Sequence, residues 1–410
     1  MSISRLGTAN MYDRTISNIS KQQAELASQM EHTTAGKRVL RASDDPVAAA
    51  LAERARTRMS RYETDQRTLD AQVSSITYAS STLDSVTDAL QEFHALVVQA
   101  GNAAYDAPQR ESILQQMQTL RTQILAYANR QDSNGLPLFR GLDTQSATPF
   151  PNGSQSNFQA GQTNTGEYSI TNALNGGLAF FSGNTGNGVL EVSLAATNTG
   201  KVWADVGTIQ DPSEAATITD TAPVHVKFAV DAAGQVSYSL YDSTGVRLQD
   251  AGGNPLPDYP YEADKTVTIK GMNLVLKGTP ADGDTLVIRP SQPASVFDVM
   301  DAAIANIRGG ANTPKGTLEH GVARALAEID TALNRISTVN GMAGDMLNQA
   351  DRMGSALTSQ SDLMEARRSG AEDIDMVAAL SQLKSQETAV SAALQSYASI
   401  QKLSLFDYIR

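Results

Sequence analysis

The chain has 410 residues, of which 41% are apolar and 19% charged, with no cysteine and a formal net charge of −12. The missing cysteine excludes disulfides, thiolate chemistry and cysteine-ligated zinc, and the acidic balance provides no basic footprint for nucleic acid. No apolar run reaches bilayer length and the opening residues lack a secretory signal core, so neither membrane insertion nor routing by such a signal is expected.

Residues 1–40 carry a weak amphipathic helical pattern through Met11, Ile16, Ile19, Leu26 and Met30. Its apolar area is too small for a stable isolated helix, so its neighbours must complete the fold. The next stretch, RASDDPVAAA, reads as a bend followed by a helix start. Asp45 is placed to cap a helix whose first residue is Pro46, because proline needs no amide partner there. A seven-residue ladder follows through Tyr62, Leu69, Ile76, Leu83, Leu90 and Val97, the pattern of a helix packed lengthwise in a bundle. Gly101–Asn102 should end it. A shorter helix is expected from about Pro108 to Arg130, with Ile113, Met117, Leu120, Ile124 and Tyr127 on one face. His94, beside the first ladder, reads as a packed or hydrogen-bonded histidine.

Asn134–Gly135 marks a turn, and the composition then changes. Residues 141–295 hold 18 of the 30 glycines and 10 of the 14 prolines, with 15 acids against 7 bases. Strand-like runs occur at Gly188–Leu194, His225–Val230, Gln235–Leu240, Lys265–Ile269, Met272–Leu276 and Thr285–Ile288. Alternation and turn residues predict antiparallel sheet, in one elongated or two compact β-domains.

Helix is expected again at Ser295–Ile307, then from Val322 through Leu326, Ile329, Leu333 and Ile336, with Ala343, Leu347, Ala350, Gly354 and Leu357 extending the pattern. A last ladder runs through Met376, Leu380, Leu383, Val390, Leu394 and Tyr397 into the tail SLFDYIR. Leu403, Leu405, Phe406 and Ile409 would form a sticky patch if left bare, so burial against another helix or subunit is expected.

The fold class is therefore mixed α and β: a helical rod formed by both ends of the chain and a β-rich middle. Leu69, Ile76, Leu83, Leu90, Leu326, Ile329, Leu333 and Ile336 are the expected rod core. No catalytic, cofactor or metal set emerges. The four histidines, at 32, 94, 225 and 320, have no short ligand spacing, and no nucleophile–base–acid arrangement or phosphate loop appears.

Several segments are more specific. SISRLGTANMYDRTISNISKQQAELASQM, TAGKRVLRASDDPVAAALAERARTRMSRYETDQRTLDAQ, SNGLPLFRGLDTQSATPF, LVLKGTPADGDTLVIRP and the ending LSLFDYIR occur in order. In this combination the chain resembles the family of bacterial flagellar hook–filament junction proteins (hook-associated protein 3) within the flagellin-like superfamily. The resemblance covers roughly 1–150 and 265–410.

The resemblance implies a nested, flagellin-like architecture. Residues 1–40 and 371–410 would pair as the terminal assembly domain, 41–140 and 296–370 would form the helical rod, and 141–295 would project outwards as the β-rich domain. It implies a structural, non-enzymatic role in the extracellular flagellum, in a homo-oligomeric ring of about eleven subunits. Neighbours would be a hook-side junction protein and flagellin or other filament-side subunits. A cytoplasmic chaperone would hold the C-terminal segment before export. Ile16, Ile19, Leu26, Leu394, Tyr397, Leu405 and Phe406 are the candidates for burial on assembly. Arg38, Arg41, Asp44 and Asp45 are candidates at the joint, as setters of the bend or as subunit contacts. Two alternatives stand beside this reading: a flagellin filament subunit, and an adhesin or carbohydrate-binding surface on the middle domain using Trp203 or Tyr261.

Overall fold

The computed structural model describes residues 8–102, 105–140, 150, 153, 168–171, 173–250, 252–309 and 315–408, with backbone alone for 8–12, 315 and 400–408. Three helices come first: α1 (Thr8–Ala35), α2 (Pro46–Ala100) and α3 (Ala107–Ala128). A π-helical turn, Gly177–Phe181, leads into β1 (Gly183–Asn184), β2 (Leu190–Leu194), β3 (Trp203–Ala204) and β4 (Thr208–Ile209). After a single helical turn, α4 (Pro212–Ala215), come β5 (Val224–Val230), β6 (Val236–Tyr241), β7 (Tyr259–Pro260), β8 (Lys265–Ile269), β9 (Met272–Lys277), β10 (Thr285–Pro290) and β11 (Pro293–Ala294). Three helices close the chain: α5 (Val296–Gly309), α6 (Lys315–Glu372) and α7 (Met376–Tyr408). The chain divides into two compact units, residues 1–68 with 352–410 and residues 69–351.

In the first unit, α1 and α7 pack along each other. An antiparallel bridge between Lys37 and Asp373 sets their direction. α2 begins where the sequence places it. The Asp45 carboxylate accepts the amides of Val47 and Ala48 at 3.1 and 3.0 Å, satisfying donors that a helix start leaves open.

In the second unit, Leu69, Ile76, Leu83 and Leu90 of α2 are fully buried. On α6 the inward stripe runs through Ala325, Ile329, Ala332, Ile336, Val339 and Ala343. Leu326 and Leu333 are only half-buried at its margin, because the buried stripe lies one position off these bulky residues and runs through Ala325 and Ala332 instead. Gly101 ends α2 against Val322, whose methyl carbon would lie 3.0 Å from any added Cβ. Asp106 caps α3 in a reciprocal box with Gln109. Phe139 and Phe150, on the way out of the helices, meet Phe180 of the π-helical turn, which in turn stacks on Phe297 at the start of α5, on the way back. Arg121 of α3 pairs with Asp301 of α5 at 2.8 Å beside them.

Every strand pairing among the described residues is antiparallel. One sheet has the order β2-β10-β5-β6-β7, and in another β9 pairs with β3, β4 and β8. Both contribute to a single core containing Val192, Val226, Phe228, Leu240, Leu274, Leu276 and Leu286. The β-region is therefore one domain built on one core. All six strand-like runs of the sequence are strands. The two-residue strands β1, β3, β4, β7 and β11 carry too few residues for an alternation to be visible.

Candidate assembly surface

The joint of the first unit forms where α1 and α6 both end. Gly36, at φ +67°, takes the left-handed conformation that stops α1. The chain then runs beside the end of α6: Arg38 N–H donates to the Glu372 carbonyl at 2.7 Å, and Ile374 N–H donates to the Gly36 carbonyl at 3.1 Å. Residues more than three hundred positions apart are tied there by backbone.

The Glu372 carboxylate is buried and takes Lys37 at 2.5 Å, Arg56 at 2.5 Å and Arg368 at 3.3 Å. Burial acts to raise this carboxyl, but the hydrogen bonds and charges of Lys37 and Arg56 outweigh it and hold it below the usual glutamate range. A negative charge at a helix C-terminus opposes the helix dipole, so it needs cations around it. That is the sequence signal that could have found Glu372.

The four residues expected at the joint all have partners within the chain. Asp44 accepts the amides of Arg41 and Leu40 at 2.8 and 3.0 Å, and the Arg41 amide holds its carboxyl low. The Asp45 carboxyl is held low by the Ala48 amide and then by Arg38. Arg38 pairs with Asp45 at 3.2 Å and donates to the Ala371 carbonyl at 2.8 Å. Arg41 pairs with Glu31 at 2.9 Å. These groups build the bend itself, and Arg38, Arg41 and Asp44 remain solvent-exposed while doing so.

Beyond the joint, the first unit leaves much of its apolar surface bare. Among the described residues, nine of the sixteen exposed large apolar side chains lie in this smaller unit. The α7 ladder is the plainest case: Val390 is buried, Leu383 and Tyr397 are half-buried, and Met376, Leu380 and Leu394 are exposed. Val377, next to the ladder, is 81% exposed. On α1, Ile19 is buried, Leu26 half-buried and Ile16 exposed. Val47 and Leu51 on α2 join this surface, although the sequence pattern does not single them out. The side chains of Leu403, Leu405, Phe406 and Ile409 lie outside the described residues. Exposed apolar groups concentrated in this way are a general feature of interaction surfaces.

The second unit holds polar groups that sequence reasoning missed. His320, at the start of α6, is buried with Nδ1 2.8 Å from the Ala204 carbonyl and Nε2 2.9 Å from the Val192 carbonyl. It bridges β3 and β2, the latter an edge of the five-stranded sheet. Burial pushes the ring below its ordinary pKa, against the two carbonyl contacts. Glu328 accepts the Gly186 amide at 2.7 Å and pairs with Arg324 at 2.8 Å, so α6 holds the β-domain through polar side chains. His94 lies 3.5 Å from Asp330. Trp203 sits under Lys277, and Tyr261 packs edge-on against Phe228 while donating to the Gly278 carbonyl. Among the described residues no group of three or more His, Asp or Glu could hold a metal ion. No helix among them is long and apolar enough to cross a membrane.

Two family models match: the bacterial flagellin N-terminal helical region over residues 6–144 and the bacterial flagellin C-terminal helical region over residues 326–409. Flagellar hook-associated protein 3 of Salmonella typhimurium is 33% identical over 185 residues, 44% of this chain and 55% of that protein. Flagellar hook-associated protein 3 of Escherichia coli is 25% identical over 406 residues, 98% of each chain. Among solved structures, the flagellar junction protein FlgL of Legionella pneumophila superposes with a TM-score of 0.66 at 22% identity, covering 79% of this chain and all of that one. That likeness shows the fold.

Proposed function

Because the chain belongs to the flagellin-like superfamily, as a homologue of flagellar hook-associated protein 3, we propose that it is a structural subunit joining the flagellar hook to the filament outside the cell. The observation that carries this reading is the α7 ladder, a helix face left mostly bare in a single copy. A chain that folds one helix against its own start and exposes the rest is built for neighbours. In the assembly, 1–40 with 371–410 is the terminal domain, 41–140 with 296–370 is the helical layer around it, and 141–295 faces outwards. The subunits form a ring of about eleven by repetition of one interface. The ring's neighbours are a hook-side junction protein and the first filament subunits. Before export, a cytoplasmic chaperone covers the C-terminal helix.

The flagellin reading draws on the same two helical-region models. The hook-associated relative matches across 98% of both chains, including the β-domain, and this favours the junction. Deletion of the gene in the source bacterium tests the choice. Intact hooks without filaments, and flagellin released into the medium, all restored by this chain, support the junction role. Normal filaments overturn it, and loss of flagellin itself from intact hooks moves the chain to the filament.

A further inference from the structure

We propose, resting on the subunit reading above, that the α2–α6 helix pair of the first unit carries two complementary clefts through which one copy docks head to tail on the next. The first cleft, of about 440 Å³, is lined by Leu51, Arg54, Ala55, Arg58 and Arg367. Its three arginines are exposed and have no acidic partner among the described residues, unlike Arg56 and Arg368, which Glu372 holds. Leu51 supplies an exposed apolar edge. The second cleft, of about 430 Å³, is lined by Tyr62, Glu63, Leu357 and Asp362. Arg67 shares it, with Nε turned back to the Glu63 carbonyl at 3.1 Å. Glu63 and Asp362 are exposed and without an ion pair among the described residues, and Leu363 beside Asp362 is exposed as well.

One cleft is therefore basic with an exposed apolar edge, and the other carries two acids against one base around Tyr62 and the buried Leu357. They lie on the same two helices, five to nine residues apart, or about 7–14 Å along the axes. A patch that must meet itself has to be its own complement. Here the complement of each patch is the other patch, displaced along the helices. Such a pair joins unlike surfaces of successive copies, the heterologous geometry that closes a ring or winds into a helix. Opposed charge also sets the register, since sliding one copy along the next would bring arginine to arginine. The occupant of the basic cleft is thus the Glu63–Asp362 face of a second copy. The competing occupant is the second unit of a neighbour, which carries 29 acids against 15 bases, whereas the first unit carries 15 acids against 17 bases.

The absence of cysteine makes a clean test possible. Two full-length chains, one with Arg54→Cys and one with Asp362→Cys, are co-expressed in the source bacterium lacking the gene, and isolated flagella are mildly oxidised. Both positions are exposed, and circular dichroism of each purified variant checks its helix content. The proposal expects a mixed disulfide dimer in flagella, absent from the secreted monomers and absent when either variant is expressed alone. Both chains present in flagella without a mixed dimer would overturn it. So would Arg54→Cys chains linking to one another, which requires a two-fold contact. Should the cysteine chains stay out of flagella that accept the unmodified chain, charge exchange decides. Arg54→Glu with Arg58→Glu should abolish motility, and adding Glu63→Arg with Asp362→Arg should restore it. Failure to restore points to the neighbour's acidic second unit and overturns the proposal. Absence of the unmodified chain from the hook–filament boundary instead overturns the subunit reading itself.

Discussion

Arg56 donates to the Glu372 carboxylate at 2.6 Å across 316 residues of chain. The contact closes the first unit: α2 has just begun and α6 is about to end. Lys37 and Arg368 approach the same carboxylate, so one acid ties together three segments: the stretch after α1, the start of α2 and the end of α6.

Glu372→Gln should therefore loosen the joint without removing its backbone hydrogen bonds. The three cations around it are partly exposed and regain water when the charge is lost, which limits the cost. A loss of about 1–3 kcal/mol is expected from hydrogen bonds to a charged group. Urea denaturation followed by circular dichroism checks it, and an unchanged midpoint would remove Glu372 from its organising role.

Acid should act at the same place. The Glu372 carboxyl is held below its unfolded value, so its contribution is complete above the ordinary glutamate range and is lost as pH falls through the lowered value. The unmodified chain should lose stability below that range more steeply than Glu372→Gln. Parallel pH profiles for the two chains would contradict this.

His320 makes a second pH prediction, with its own window. Burial lowers the ring's pKa, so the ring folds in as the neutral form, whose one N–H donates to either the Ala204 or the Val192 carbonyl. Its contribution is complete above the ordinary histidine range and declines as pH falls below it. Nuclear magnetic resonance titration should find the His320 ring titrating below the ordinary histidine value. A ring that titrates above that value would reverse the sign.

Core and surface positions should separate folding from assembly. Leu83 is fully buried, and Leu83→Ala should cost about 2–5 kcal/mol through the cavity it leaves. Leu380 is 52% exposed, and Leu380→Ala should change monomer stability by no more than about 0.5 kcal/mol. Junction formation in cells should nevertheless fail with Leu380→Ala. Normal filaments with that variant would show that the α7 ladder is not an assembly surface.

Amide exchange gives the corresponding physical readout. In a single copy α1 and α7 bury few large side chains, Ile19 and Val390 among them, so both helices should open readily. Exchange should be fast in the monomer and slow in isolated flagella, because neighbours offset the cost of ordering. Equal protection in both states would mean that the pair is stable on its own.

The sequence by itself determined the local structure of this protein. Helix and strand periodicities, the Asp45–Pro46 start and the Gly101 stop depend on residues within a turn or two of one another, and each lies close to its expected place. The flagellin-like resemblance was legible for a similar reason, in short segments read in order. Tertiary structure alone decided which apolar residues are covered. The spacing of Leu380 and Leu394 equals that of a core ladder, yet they are exposed while Val390 is buried. It also decided that Ala325 and Ala332, and not Leu326 and Leu333, join Ile329 and Ile336 in the buried stripe of α6, and that Glu372 and His320 are partnered from distant segments. Periodicity reports which face of a helix is apolar. Whether that face meets its own chain or awaits another is set by what packs beside it, and for Glu372 and Arg56 those neighbours are brought together only by folding over 316 residues.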